Sequence, residues 1–273
     1  MILKFNSKKQ LSQFLDEDIG KGDITSALLD KKKISVKIIS RERAIVAGTS
    51  HVKEIFKLKK CDSKILKKDG SKIKPNQTIM IITGDAKDIL TCERTALNLL
   101  TRMSGIATQT NEMVKKIPKK TKLYATRKTA PGLRYFDKEA VEIGGGKKHR
   151  LRLDEMVMIK DNHIAVGESL RTLIKKTKKK HTKFEVEVEN TEDAVLAAKE
   201  NATIIMLDNF TPLQIKKTIK VLKDQKLRSR VKLEASGGIN IKNISKYGQT
   251  EVDIISVGSI TNSVHGIDMS LEI

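Results

Sequence analysis

At 273 residues and 38% apolar content, the chain can bury either one large barrel or two ordinary domains. The formal charge of +21 would suit a nucleic-acid binder, but the basic residues are spread through both halves and only 3% of residues are aromatic, so a solvated surface that attracts anionic substrates is expected, with no nucleic-acid partner. No apolar run reaches the roughly 18 residues of a membrane span, the opening MILKFNSKKQLSQF lacks a signal-peptide pattern, and Cys61 and Cys92 have neither redox nor metal spacing, which together predict a cytoplasmic protein with free thiols and no membrane partner.

In chain order, a helix is predicted near 7–17. Alternation in Ile34-Ser35-Val36-Lys37-Ile38 and in the segment from Gly70 to Gly84, with turn residues Asp69-Gly70 and Pro75-Asn76, then predicts short antiparallel strands. A longer helix near 86–116 carries Ile89, Cys92, Ala96, Leu97, Leu100 and Met103 at helical spacing, a core stripe. These elements predict an α+β domain whose boundary falls inside the long helix, with residues 1–105 ahead of it and 106–273 behind. The last residues could return to the first domain.

From Lys122 the pattern changes to short β-branched runs followed by helix-like stretches, the mark of β/α units. Strands are predicted at 122–127, 156–161, 183–189, 203–208, 231–236 and 252–257, and helices at 168–178, 191–200 and 212–224. Asn190 and Thr211-Pro212 serve as helix-start signals. Continuous apolar strands of this kind predict a parallel sheet, closed into a barrel or doubly wound; with six strands rather than eight, a barrel would be incomplete.

Barrel chemistry sits at the C-terminal strand ends, and here those ends are polar: Arg127-Lys128, Lys160-Asp161, Glu187 and Glu189, Asp208-Asn209, Glu234 to Gly238, and Ser256 to Ser259. Glu185, Glu187 and Glu189 alternate with valines and so share one face, either inward, where they need partners, or outward as surface charge. The run Gly144-Gly145-Gly146-Lys147-Lys148-His149-Arg150 offers a backbone that could approach a ligand, or simply a flexible turn. Ser236-Gly237-Gly238 and Gly258-Ser259 are either phosphate-binding turns or tight strand-to-helix connections. Several fixed cations suit a small polycarboxylate, and acids beside a phosphate turn suit Mg²⁺ carried with a phosphorylated sugar. No serine-hydrolase motif and no zinc spacing of histidines is present.

Read as ordered motifs, the chain resembles the quinolinate phosphoribosyltransferase family over nearly its whole length. The motifs are Asp18-Ile-Gly-Lys-Gly-Asp-Ile-Thr25, Glu93-Arg-Thr-Ala-Leu-Asn-Leu-Leu100, Ser104-Gly-Ile-Ala-Thr108, Thr126-Arg-Lys-Thr-Ala-Pro-Gly-Leu-Arg134 and Gly144-Gly-Gly-Lys-Lys-His-Arg150. They continue with Ile159-Lys-Asp-Asn-His163, Glu185-Val-Glu-Val-Glu189, Leu207-Asp-Asn209, Glu234-Ala-Ser-Gly-Gly238 and Val257-Gly258. The resemblance implies an α/β fold: an N-terminal α/β sandwich domain followed by an incomplete (β/α) barrel, assembled as a homodimer or homohexamer with active sites shared between subunits.

By the same resemblance, Arg127, His149, Arg150 and Lys160 would hold the two carboxylates of quinolinate, with Arg94 entering from a neighbouring subunit. Lys128, Glu187 and Asp208 would face phosphoribosyl pyrophosphate and its Mg²⁺, held indirectly through substrate and water. Ser236, Gly237, Gly238 and Gly258 would cradle the 5′-phosphate. Lys128, Lys160, Glu187 and Asp208 would carry the chemistry, which forms nicotinate mononucleotide, pyrophosphate and CO₂ in NAD biosynthesis. One departure is Arg152, between Leu151 and Leu153, where the family commonly has Gly.

Overall fold

The computed structural model describes residues 6–273. Residues 1–5, which open the stretch read for a signal peptide, lie outside the described residues. The chain forms two compact units that are discontinuous in sequence, one of residues 1–111, 131–145 and 263–273, the other of 112–130 and 146–262. A single division after residue 105 is simpler than this interleaving. No described helix is long and apolar enough to cross a membrane.

The first unit begins with α1 (Ser7–Ile19), followed by β1 (Lys33–Ser40), β2 (Ala44–Ile45), α2 (Thr49–Leu58), β3 (Asp62–Ile65), β4 (Lys72–Ile73), β5 (Gln77–Asp85) and α3 (Ala86–Val114). The next elements are β6 (Lys122–Ala125), α4 (Arg134–Ile143), β7 (Val157–Ile159), α5 (Asp161–Ala165), α6 (Leu170–Lys178), β8 (Phe184–Val188), α7 (Thr191–Lys199), β9 (Ile204–Asp208) and α8 (Pro212–Asp224). The chain ends with β10 (Lys232–Ser236), α9 (Ile244–Gly248), β11 (Ile254–Val257), α10 (Ser259–Asn262) and β12 (Met269–Glu272).

An antiparallel sheet of order β12-β1-β5-β3 forms the first unit's platform, and β2 pairs with β4 beside it. The apolar stripe of α3 is core: Ile89, Cys92, Ala96, Leu100 and Met103 have no exposure. Its Ser104-Gly-Ile-Ala-Thr108 motif closes backbone valences. Ser104 Oγ accepts from Ala47 N–H at 3.0 Å and Thr108 Oγ1 from Ile45 N–H at 2.9 Å. Between them Gly105 lets the returning chain cross, since a Cβ there would lie 2.0 Å from the His265 carbonyl oxygen. The acids of the Asp18–Thr25 motif also tie to α3: Thr95 Oγ1 donates to Asp18 at 2.9 Å and Thr91 Oγ1 to Asp23 at 3.1 Å. In α4, Asp137 is fully buried and receives two bonds from Arg102 of α3.

All six strands of the second unit are parallel, in the order β6-β11-β10-β9-β8-β7. This is the cyclic order of a barrel that is open between β6 and β7. Beside β6, Lys147 of the glycine-run loop forms a parallel bridge with Tyr124. Asn190 caps α7 by accepting from Asp193 N–H at 2.8 Å, and Thr211 with Gln214 forms a reciprocal cap on α8, as their sequence signals predict.

Candidate active site

Alternation along the parallel strands decides which side chains meet. Along β8, Phe184, Val186 and Val188 are buried against the surrounding helices, whereas Glu185 and Glu187 share the opposite face with the alternate residues Met206 and Asp208 of β9 and Glu234 and Ser236 of β10. Thr126, Met158, Lys160 and Ser256 join them around a cavity of about 310 Å³, with Arg127, Lys128, His149 and Arg150 on its wall. Glu185 and Glu187 therefore face inward. Glu189 lies past the strand end and is exposed.

The cavity thus brings together Arg127, Lys128, His149, Arg150, Lys160, Glu187, Asp208 and Ser236. Lys160 ends β7 and points its Nζ at Glu187 Oε2, 2.7 Å away. Its backbone N–H donates to His163 Nδ1 at 3.0 Å, so the Asn162-His163 end of that motif is a local cap. Lys128 is set by Thr126, whose Oγ1 accepts from the Lys128 amide at 3.1 Å, and by Thr261, whose hydroxyl donates to the Lys128 carbonyl at 2.8 Å. Arg150 donates to the Met156 carbonyl at 3.0 Å and to Met158 Sδ at 3.2 Å. Burial, and then Arg127 nearby, lower its pKa. Arg127 Nε is buried without a partner, a donor that a ligand acceptor would satisfy. Asp208 accepts from Asn209 Nδ2 at 2.7 Å, which leaves most of its lone pairs open.

Other residues fall elsewhere. Gly237, at φ +90°, lies where a Cβ would meet Asn209 Oδ1 at 2.2 Å, while a Cβ on Gly238, at φ +61°, would enter open space. A Cβ on Gly258 would lie 3.2 Å from Lys128 Cδ. These glycines border the strand ends and do not line the cavity itself. Gly144 is explained by packing rather than by a ligand, because a Cβ there would be 2.5 Å from the Ala107 carbonyl oxygen, and Gly145 takes φ +96° to turn the chain. Arg94 is exposed on α3, in the first unit. Arg152 pairs with Asp154 at 3.1 Å and Glu155 at 3.7 Å, inside a short irregular loop.

Glu185 and Glu234, read from the sequence only as a charge that faces inward or outward and as part of a polar strand end, prove to be a buried pair at the base of the site, where Glu234 lines the cavity. Glu185 and Glu234 have no exposure, and His149 Nε2 lies 3.2 Å from Glu185 Oε2 and 3.6 Å from Glu234 Oε2. His149 lines the cavity, and both ring nitrogens meet protein groups: Nδ1 accepts from the Arg150 amide at 2.7 Å and Nε2 lies against the two acids. Burial lowers the imidazole pKa, but the two carboxylates outweigh it and push it up. Burial raises the Glu185 pKa, and His149 opposes that rise. The amide bond to Nδ1 and the carboxylates pull opposite ways on a second ring proton; in either state Nε2 carries a proton toward the acids. The available signal was the cost of an acid at an inward strand position.

The description "Quinolinate phosphoribosyl transferase, N-terminal domain" matches residues 23–104, and the corresponding C-terminal domain matches residues 106–272. The chain belongs to the quinolinate phosphoribosyl transferase family. A relative from Methanothermobacter thermautotrophicus, named "Probable nicotinate-nucleotide pyrophosphorylase (carboxylating)", is 42% identical over 272 residues, covering 96% of this chain and 97% of that one. The solved nicotinate-nucleotide pyrophosphorylase of Francisella tularensis is 37% identical with a TM-score of 0.90, covering 97% of this chain and 95% of that one. That of Ehrlichia chaffeensis is 35% identical with a TM-score of 0.93, covering 99% of each. The sandwich-plus-barrel architecture is therefore that of the quinolinate phosphoribosyl transferases.

Proposed function

We propose that the barrel cavity joins quinolinate to phosphoribosyl pyrophosphate, giving nicotinate mononucleotide, pyrophosphate and CO₂ for NAD biosynthesis. The observation that carries this reading is one cavity with four cations, Arg127, Lys128, Arg150 and Lys160, beside two partly accessible acids, Glu187 and Asp208. The guanidinium forks suit the planar carboxylates of a pyridine diacid, and Arg127 Nε awaits an acceptor. Gly238 faces open space beside Ser236, which leaves its backbone accessible as a 5′-phosphate requires, and Gly237 makes the turn against Asn209 that puts it there.

Displacement at the ribose C1 by the pyridine nitrogen passes through an oxocarbenium-like state, so Glu187 and Asp208 stabilise the sugar while Lys128 faces the departing pyrophosphate. Arg127 and Lys160 keep the remaining carboxylate in place while the 2-carboxylate leaves as CO₂; the electron pair of the broken bond stays at C2, beside the cationic ring nitrogen, and takes up a proton from water. Glu187 and Asp208 offer hard oxygen donors, but the only described group of three potential metal ligands is a different one, at His149. The two acids thus fit Mg²⁺ that arrives with the substrate, its contacts completed by phosphate and water. When bound, Mg²⁺ would neutralise pyrophosphate charge. His149 supports the wall and is not a direct donor to quinolinate. The exposed Arg94 fits the reading that a second copy of the chain completes each site in a homodimer or larger assembly. A cytoplasmic setting accords with the free cysteines.

The test is incubation of purified protein with quinolinate, phosphoribosyl pyrophosphate and Mg²⁺. Nicotinate mononucleotide and CO₂ should appear in equal amounts, and nicotinate in place of quinolinate should give no product. Product from nicotinate without CO₂ would sink the reading. For the shared site, inactive Arg94→Ala and Lys160→Ala chains refolded together should regain activity; none, despite subunit exchange, would return Arg94 to its own chain.

A further inference from the structure

The group on the cavity floor has no part in the reaction as written. Glu185 and Glu234 are completely buried, and the His149 side chain is 6% exposed. Apart from the charge contacts to His149, both Glu185 oxygens and Glu234 Oε2 lack a hydrogen-bond partner; Ser256 Oγ donates to the other Glu234 oxygen. Two buried carboxylates side by side repel each other and resist desolvation, so a fold retains them only where something cationic or protonated answers both. Here the group in contact with both is His149, while Arg150 adds a longer-range pull on Glu185.

His149 itself is held at a cost. Its φ of +52° is a left-handed backbone conformation, uncommon outside glycine although histidine tolerates it better than most side chains do. The Tyr124 ring meets the imidazole edge-on, with centroids 5.7 Å apart at 83°, and the next amide closes on Nδ1. This turn aims Arg150, whose guanidinium is braced by the Met156 carbonyl and Met158 Sδ on the cavity wall. A strained backbone persists only where its surroundings over-determine it, and the carboxylate pair pulling on Nε2 supplies that constraint.

We propose that Glu185 and Glu234 are positioning residues: they grip the His149 ring through its Nε2–H, and this grip fixes Arg150 at the quinolinate end of the cavity. The assignment rests on the reading of that cavity as the quinolinate site. Neither acid touches substrate. The rival occupant of the same three side chains is a metal ion, because one ligand atom from each lies within 4.8 Å of the others.

The experiment uses Glu185→Gln and Glu234→Gln, which keep shape and remove the charge, together with His149→Asn, since asparagine tolerates the left-handed backbone. Each glutamine variant should raise the KM for quinolinate about tenfold, lower kcat less than about threefold and leave the KM for phosphoribosyl pyrophosphate within about twofold. Adding Glu185→Gln to His149→Asn should do little more, because the partner is already gone. The imidazole proton resonance that is missing in His149→Asn should also shift in Glu185→Gln. An unchanged quinolinate KM in both glutamine variants, or full additivity with His149→Asn, would overturn the proposal. So would loss of quinolinate binding by chelator-treated wild type that Mn²⁺ or Zn²⁺ restores, for then the group is a metal site. If wild type fails to use quinolinate at all, the functional reading fails instead, and the resonance shift still decides the positioning claim. Should one glutamine variant not fold, the other carries the test.

Discussion

Two ion pairs, one in each unit, put similar charges to different use. Arg102 and Asp137 meet through both arms of the guanidinium, Nε to Oδ1 at 2.7 Å and Nη2 to Oδ2 at 2.9 Å, with the carboxylate wholly buried. Lys160 and Glu187 meet at a single contact of 2.7 Å, with the lysine side chain 35% exposed to the cavity. The first pair engages both carboxylate oxygens and ties α3 to α4. The second leaves a carboxylate oxygen and rotatable N–H groups for a ligand. Bidentate, buried pairing marks a structural pair here, and a single contact at the cavity marks a working one.

The comparison breaks most visibly if the buried acid is removed. Asp137→Ala removes the buried carboxylate that takes two bonds from Arg102 and should cost about 3–5 kcal/mol of stability, read as a lower urea midpoint at constant slope. A loss below about 1 kcal/mol would mean that the pair is not what holds these helices. In the barrel the effects should be exchanged. Lys160→Met and Glu187→Gln should each lower turnover about 100-fold, roughly 2.7 kcal/mol of transition-state stabilisation, while stability moves by less than about 1 kcal/mol. Equal damage to folding and turnover would erase the distinction. Arg127→Lys sharpens it further: the charge survives but the fork does not, so quinolinate affinity measured by calorimetry should fall by about 1–3 kcal/mol and phosphoribosyl pyrophosphate affinity should stay.

Much of the barrel was legible in the sequence because its signals are local. Six β-branched runs, the Asn190 and Thr211 caps and the polar strand ends each depend on a few adjacent residues, and the structure places a strand or helix at every one. That inward acids on β8 need partners was legible too, but that Lys160 supplies one for Glu187 was not. The interleaving of the units was not legible, since residues 131–145 look like any β/α connection until Arg102 is seen holding Asp137. The glycine run at 144–146 stayed open between a ligand approach and a flexible turn, because the close packing of Gly144 against Ala107, 37 residues earlier in the chain, leaves no local mark. His149 gave the same difficulty. The resemblance implies a ligand role for it, and only the meeting of β8 and β10 shows its Nε2 beside Glu185 and Glu234.

The smallest effect separates the units by how each answers a buried acid. In the first, burial pushes the Cys92 thiol up to about 12, with Lys59 opposing it only weakly, and Cys61 up to about 11, where nearby aspartates add to the rise. In the barrel, burial raises Glu185 as well, but His149 and Arg150 pull it back. The thiols are therefore neutral and inert at working pH, and both should resist an aromatic disulfide reagent at pH 8 in the native protein while reacting within seconds in guanidinium. For stability the sign follows from the raised pKa. The unfolded thiols ionise near 9.0, the folded ones only near 11 and 12, so the unfolded state gains in that window and stability falls as pH rises above about 9. Below it the thiols contribute no pH dependence. Cys92→Ala should flatten the decline between about pH 9 and 10 relative to wild type, leaving activity at pH 8 nearly unchanged. Identical slopes in the two proteins, or rapid native labelling at pH 8, would show that Cys92 reaches water and that the first unit's core is looser than its packing implies.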